Sequence, residues 1–150
     1  MEPIEFPLDF SEFLKLLTAH RVEFLLIGGL AVSHHGYPRS TSDMDVWVAR
    51  NRANAERLVA CLREFGFNTP EVAPEMFDDP NRIVRMGVAP IRIEILTQIS
   101  GVEFEKCFPR ADLLNVDGNV IRVISLEDLR ANKRASGRPK DLDDLENLLE

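Results

Sequence analysis

Phe24-Leu25-Leu26-Ile27 is an unbroken apolar run that stops abruptly at Gly28-Gly29. Four apolar residues in succession leave no polar face, so the run reads as a buried strand. Elements of both kinds flank it. Upstream, Asp9 and Glu12 have the spacing of a capping box, opening a helix whose apolar residues are Phe13, Leu16 and Leu17 and which ends near His20. Downstream, Leu30 to His35 reads as a brief helical turn, broken by Gly36-Tyr37-Pro38.

Asp43 to Val48 reads as a second strand, followed by a helix from about Arg52 to Phe65 with Ala55, Leu58, Val59 and Leu62 at helical spacing and Gly66 as its stop. Residues 68–81 carry three prolines and read as a loop. Arg82–Gly87 and Pro90–Leu96 pair as a hairpin, the second arm turning its isoleucines to one face and Arg92 and Glu94 to the other. A further hairpin is expected around Asp117-Gly118. Ser125 with Asp128 opens a helix to about Ala135, and a short helix follows Pro139. Strands interleaved with helices predict an α/β or α+β sandwich: a mixed sheet of about four to six strands in a single domain over residues 1–150.

The residues most suggestive of chemistry are carboxylates. Asp43 and Asp45 leave the same face of their strand, about 7 Å apart at the backbone, while Met44, Val46 and Val48 face the buried side. Glu94 is an acid inside an isoleucine-rich strand, where acids are depleted. Three carboxylates converging at about 7 Å repel by roughly 2 kcal/mol per pair at an effective dielectric of 20. A cation removes that repulsion, and an all-oxygen donor set suits Mg²⁺ or Mn²⁺. The Gly28-Gly29 turn, entering a helix, lets a phosphate approach backbone N–H groups.

Residues 24–48, FLLIGGLAVSHHGYPRSTSDMDVWV, resemble the signature of the polymerase-β-type nucleotidyltransferase superfamily: strand, glycine turn, helix, Asp-x-Asp strand. IRIEIL resembles the strand that carries its third acid, and the likeness extends through the tail to about residue 148. It is nearest to minimal bacterial nucleotidyltransferases, several of which belong to toxin–antitoxin or abortive-infection systems. The resemblance implies the nucleotidyltransferase fold, with Asp43, Asp45 and Glu94 as catalytic metal ligands. It implies that Gly28 and Gly29 cradle a triphosphate, that Arg39 and Ser42 overlie it from the loop entering the Asp-x-Asp strand, and that Lys133, with Arg134 or Arg138, reaches it. The implied reaction is attack on the α-phosphate of a nucleoside triphosphate with release of pyrophosphate. The acceptor stays open between RNA, protein and a small molecule such as an antibiotic, and a partner protein or second subunit could complete its site. The alternative is a catalytically idle nucleotide-binding or antitoxin-like module acting through a protein partner. Two departures stand out: many relatives carry serine at Gly29 and aspartate at Glu94.

For Lys133, residues 130–140 offer a second reading, because this run of cations precedes an acidic run and each complements a helix dipole. His34 and His35 are adjacent, are expected to point apart on a helix, and have no third ligand spaced for zinc, so packing or surface roles are expected. Trp47 shares the alternation of the aspartates and is expected to pack under a helix, with base stacking as the alternative. Two isolated cysteines, Cys61 and Cys107, predict free buried thiols in a reducing cytosol. No apolar run is long enough to span a membrane, and the N-terminus lacks the features of a secretory signal, which predicts a cytoplasmic protein. A net charge of −7 argues against broad adhesion to nucleic acid.

Overall fold

In the computed structural model, which describes residues 8–38, 43–88 and 91–148, one six-stranded mixed sheet organises the chain. The elements run α1 (Leu8–Ala19), β1 (Phe24–Ile27), α2 (Gly28–His34), β2 (Asp43–Val48), α3 (Arg52–Phe65), β3 (Val84–Val88), β4 (Ile91–Leu96), α4 (Phe104–Cys107), β5 (Asp112–Val116), β6 (Asn119–Val123), α5 (Leu126–Ser136) and α6 (Pro139–Asn147). Across the sheet the order is β3-β4-β2-β1-β6-β5. The pairs β2/β4 and β1/β6 are parallel; β1/β2, β3/β4 and β5/β6 are antiparallel.

The apolar run occupies the sheet interior, as its pattern requires, with all four residues of β1 buried. Met44, Val46 and Val48 of β2 are buried beside it, and Ile93 and Ile95 of β4 are buried one strand further on. α3 has the expected bounds for local reasons. The Asn51 side chain accepts the Asn54 N–H at its start, and Gly66 ends it at φ +124°, a conformation that favours glycine. At α5, Ser125 accepts the Asp128 N–H, again as expected. Cys61 and Cys107 are buried free thiols.

Three details depart from the sequence reading. Asp9 lies within the first turn of α1 rather than ahead of it, where its charge complements the helix dipole. α2 begins at Gly28, so the glycine pair is the first part of the helix and does not precede it. The expected loop over residues 68–81 contains a 3₁₀ turn at Pro74–Phe77, whose Met76 and Phe77 join the core against α3. Proline starts that turn at no cost in hydrogen bonds, and the two apolar side chains are what it buries.

Nothing in the hydropathy pattern singles out Asn54, yet it is fully buried and joins three elements. Its Oδ1 accepts the Glu23 N–H at 2.8 Å, and its Nδ2 donates to the carbonyls of Glu23 (3.1 Å) and Ala49 (2.9 Å). The start of α3 is thereby tied to the entry of β1 and the exit of β2. Replacing Asn54 with alanine strands those backbone groups inside the protein. The expected cost is about 3 kcal/mol, read as a lower urea midpoint with an unchanged slope.

Candidate active site

The strand register brings the acids together. In the parallel β2/β4 pair, Asp45 lies opposite Glu94 and Asp43 opposite Arg92. Neighbouring strands are about 4.8 Å apart, so Asp45 and Glu94 are immediate neighbours, with Asp43 one pleat further along the same face. Arginines interleave with them. Arg85 of β3 lies opposite Glu94 and donates from Nε to Oε1 at 2.9 Å, and Arg92 Nε stands 3.6 Å from Asp43 Oδ1.

Asp45 is the strained member. Burial, a hydrogen bond with Glu94, and the charges of Glu94 and Asp43 push its carboxyl up to about 7, with Lys140 opposing. Its Oδ1 is buried without a hydrogen-bond partner. The seat is made by Gly28, which holds φ +70° at the start of α2; a Cβ there would overlap Asp45 Oδ2 and come within 2.8 Å of Cγ. A carboxylate pair pressed together, with one orphaned oxygen, fits a divalent cation of the hard, oxygen-seeking kind. Glycine at position 28 is the condition for that arrangement.

Asp45 and Glu94 open onto a cleft of about 490 Å³, whose walls include Gly28, Arg85, Lys133 and Arg138. The opposite wall is made by the end of α5 and the start of α6. Lys133 joins them: its side chain is 8% exposed, and its ammonium lies 3.2 Å from Asp141 Oδ1 and 2.8 Å from Asp144 Oδ2. Arg138 Nε adds a 2.7 Å contact to Asp141 Oδ2, and Ser136 donates to the same oxygen. Burial alone would raise the Asp141 carboxyl, but the hydrogen bonds from Arg138, Ser136 and Lys133 hold it at about 2. The Lys133 ammonium thus has carboxylate partners on α6, a pairing that neither reading of the basic run specified. The charges of Arg138 and Lys140, by contrast, act on Asp45 or Glu94.

Two residues that matter here were not singled out from the sequence, Arg85 and Lys140. Arg85 could have been found by aligning the two arms of the hairpin, since opposite charges favour directly paired strand positions. Arg39 and Ser42, expected over the phosphates, lie outside the described residues. Trp47 is 1% exposed and packs edge-on against Phe104 of α4 at 5.3 Å, the helix packing expected of it. Its Nε1 and the Thr97 Oγ1 are buried without hydrogen-bond partners beside a second cleft of about 770 Å³, which shares Gln98 and Ile99 with the first. The expectation that His34 and His35 point apart is overturned. His35 lies just past the last residue of α2, and the two rings meet edge to face at 4.8 Å, both beside Asp112 of β5.

A mixed sheet whose central strand runs through glycine into a helix, with an Asp-x-Asp strand beside it and a third acid on the next, defines a nucleotidyltransferase fold. Solved structures agree. The nucleotidyltransferase candidate TM1012 from Thermotoga maritima superposes with a TM-score of 0.57 at 17% identity, over 92% of this chain and 88% of its own. An antigenic nucleotidyltransferase-like protein from Paracoccidioides brasiliensis gives 0.55 at 16% identity, over 92% and 72%. The antibiotic-resistance factor ANT(2'')-Ia gives 0.57 at 13%, over 92% and 79%. No curated protein matches the chain in sequence. Residues 8–150 match the profile of the family described as nucleotidyl transferase of unknown function (DUF2204), and the chain belongs to that family.

Two outcomes follow from the charges. A carboxyl raised from 3.8 to about 7 penalises the folded state progressively as pH climbs through that interval, because the unfolded chain releases its proton first. In metal-free buffer at about pH 8, Asp45→Asn should therefore melt several degrees above wild type, the gap closing toward about pH 4, and Mg²⁺ should raise the melting temperature of wild type alone. Asp141 has the opposite sign. Its stabilisation is present above the ordinary 3.8 and is lost as pH falls from there toward about 2. Lys133→Met removes the ammonium from two buried carboxylates and should cost about 3 kcal/mol or more at neutral pH, measured by denaturant melts.

Proposed function

We propose that this nucleotidyltransferase is divalent-metal-dependent and moves a nucleoside monophosphate from a nucleoside triphosphate to an acceptor hydroxyl or phosphate. The observation that carries the reading is the apposition of Asp45 and Glu94 in the lining of a cleft, with a buried, unpartnered oxygen on Asp45, whose carboxyl holds its proton unusually strongly. Asp43, Asp45 and Glu94 would hold Mg²⁺ or Mn²⁺. The ion would offset the carboxylate repulsion and the charge that develops on the phosphate oxygens.

The remaining roles belong to the chain's own groups. The backbone at Gly28 and Gly29 lies beside Asp45 and offers N–H groups to the triphosphate, with no side chain in the way. Arg138 and Lys140 supply positive charge from the facing wall, and Lys133 serves them by fixing the start of α6 to α5. Arg39 and Ser42 belong to the same reading as phosphate contacts. The acceptor oxygen attacks the α-phosphorus and the bond to the bridging oxygen of pyrophosphate breaks; Glu94, bonded to Arg85, either completes the metal site or takes the acceptor's proton. The second cleft, which shares Gln98 and Ile99 with the first, gives the acceptor room. A cytoplasmic setting within a toxin–antitoxin pair, with a partner protein or second copy completing the acceptor side, is supported by the sequence resemblance.

The decisive experiment incubates the chain with each labelled triphosphate, Mg²⁺ and a cell lysate, and asks whether RNA, protein or a metabolite takes the label. Asp45→Asn should lower transfer roughly 100-fold or more while keeping a native circular dichroism spectrum. Transfer that persists in the Asn variant rejects the mechanism. Nucleotide binding without transfer in wild type makes the chain an idle binding module instead.

A further inference from the structure

On the flank of the sheet away from β4, α2 and the β5/β6 hairpin bring together three metal-ligating side chains that the nucleotidyl-transfer reading leaves unused. His34 Nε2 lies 3.1 Å from Asp112 Oδ2, and His35 Nδ1 lies 3.9 Å from the same oxygen. One donor atom from each of the three falls within 4.8 Å of the others. The geometry points to a second cation site at His34, His35 and Asp112, of the class that takes Zn²⁺.

The hydrogen bonding around His35 is the strongest support. Its Nε2 stands 2.7 Å from the carbonyl oxygen of Ile124, which can only accept, so Nε2 carries the proton. In the neutral ring Nδ1 is then a bare lone pair, facing a carboxylate oxygen. Two electron-rich atoms turned toward one another want a proton or a cation between them. A histidine that gives one N–H to a backbone carbonyl, leaving its other nitrogen free for the ion, is the arrangement by which proteins orient zinc ligands. The surroundings suit such a role: the His35 side chain is 7% exposed and that of His34 17%, while Asp112 at 45% leaves an approach from solvent for the ion and its water.

Donor chemistry separates this site from the carboxylate site. Two imidazoles and one carboxylate favour Zn²⁺ and its neighbours, whereas Mg²⁺ demands oxygen. Three protein ligands in tetrahedral Zn²⁺ coordination leave one position for water. The ion would also staple the end of α2, whose first residue seats Asp45, to β5 at the sheet edge.

The test uses the full chain after chelation and dialysis, in excess Mg²⁺ to saturate oxygen sites, titrated with Zn²⁺ alone by calorimetry and with Co²⁺ alone by visible absorption. The expected result is one equivalent of Zn²⁺ with a Kd of about 10 µM or tighter, a raised melting temperature, and Co²⁺ d–d bands of a low-coordinate nitrogen–oxygen site. Asp112→Asn, isosteric and at a half-exposed position, should weaken Zn²⁺ at least about 10-fold, and His34→Ala more. In an Asp45→Asn background the Zn²⁺ site should be intact, which separates its fate from that of the transfer reading. Absence of Zn²⁺ binding, or equal binding by wild type, Asp112→Asn and His34→Ala, would overturn the assignment and leave the trio a histidine–carboxylate hydrogen-bond cluster.

Discussion

The opposition of Asp45 and Glu94 on adjacent parallel strands is the constraint around which the site is arranged. Two carboxylates at neighbouring pleats of a half-buried sheet repel, and burial makes the repulsion stronger than it would be in water. The surrounding chain answers in several ways. Arg85 holds Glu94, Arg92 stands near Asp43, and Asp45 keeps a raised affinity for a proton. Gly28 yields the space that a Cβ would take from the Asp45 carboxylate. Each is costly or unnecessary in a domain built only for stability. Together they leave Asp45 and Glu94 a pair whose repulsion a positive charge would relieve, the basis of the proposed metal site.

The wall across the cleft solves a different problem. α5 and α6 are short, and α5 ends at Gly137 in the left-handed conformation before Pro139 starts α6. A lysine shared by two buried aspartates fixes the angle between these helices, at a desolvation cost that apolar packing would avoid. What the ionic solution gives in return is directionality. The cation-rich start of α6, with Arg138 and Lys140, is held where its charge reaches the acids of β2 and β4. Within the basic run, one lysine ties the wall together and Arg138 lines the cleft.

A similar division runs through the histidines. From sequence spacing alone, adjacent histidines on a helix diverge. Here the helix ends between them, and the chain bends so that both rings lie over Asp112. The local geometry of a helix end, with a strand from far along the chain, builds a cluster that no periodicity announces.

What the sequence by itself determined was most of the elements, α4 excepted, and the face that most strand residues take. The apolar run of β1, the alternation along Asp43–Val48 and Ile91–Leu96, the bounds of α3 and the serine cap of α5 are all written within a few turns or pleats, because side-chain period and capping chemistry are local properties. The three acids could be chosen that way too, since each is a charge on a face that alternation exposes. Only the tertiary structure decided which charge meets which. That β4 pairs with β2 in the register setting Glu94 against Asp45, that Arg85 rather than Arg92 bonds Glu94, that Lys133 is held by Asp141 and Asp144, and that Asn54 bridges β1, β2 and α3 all depend on sheet order and helix docking. Those are fixed by burying the whole apolar surface at once, a condition that no short window of sequence contains.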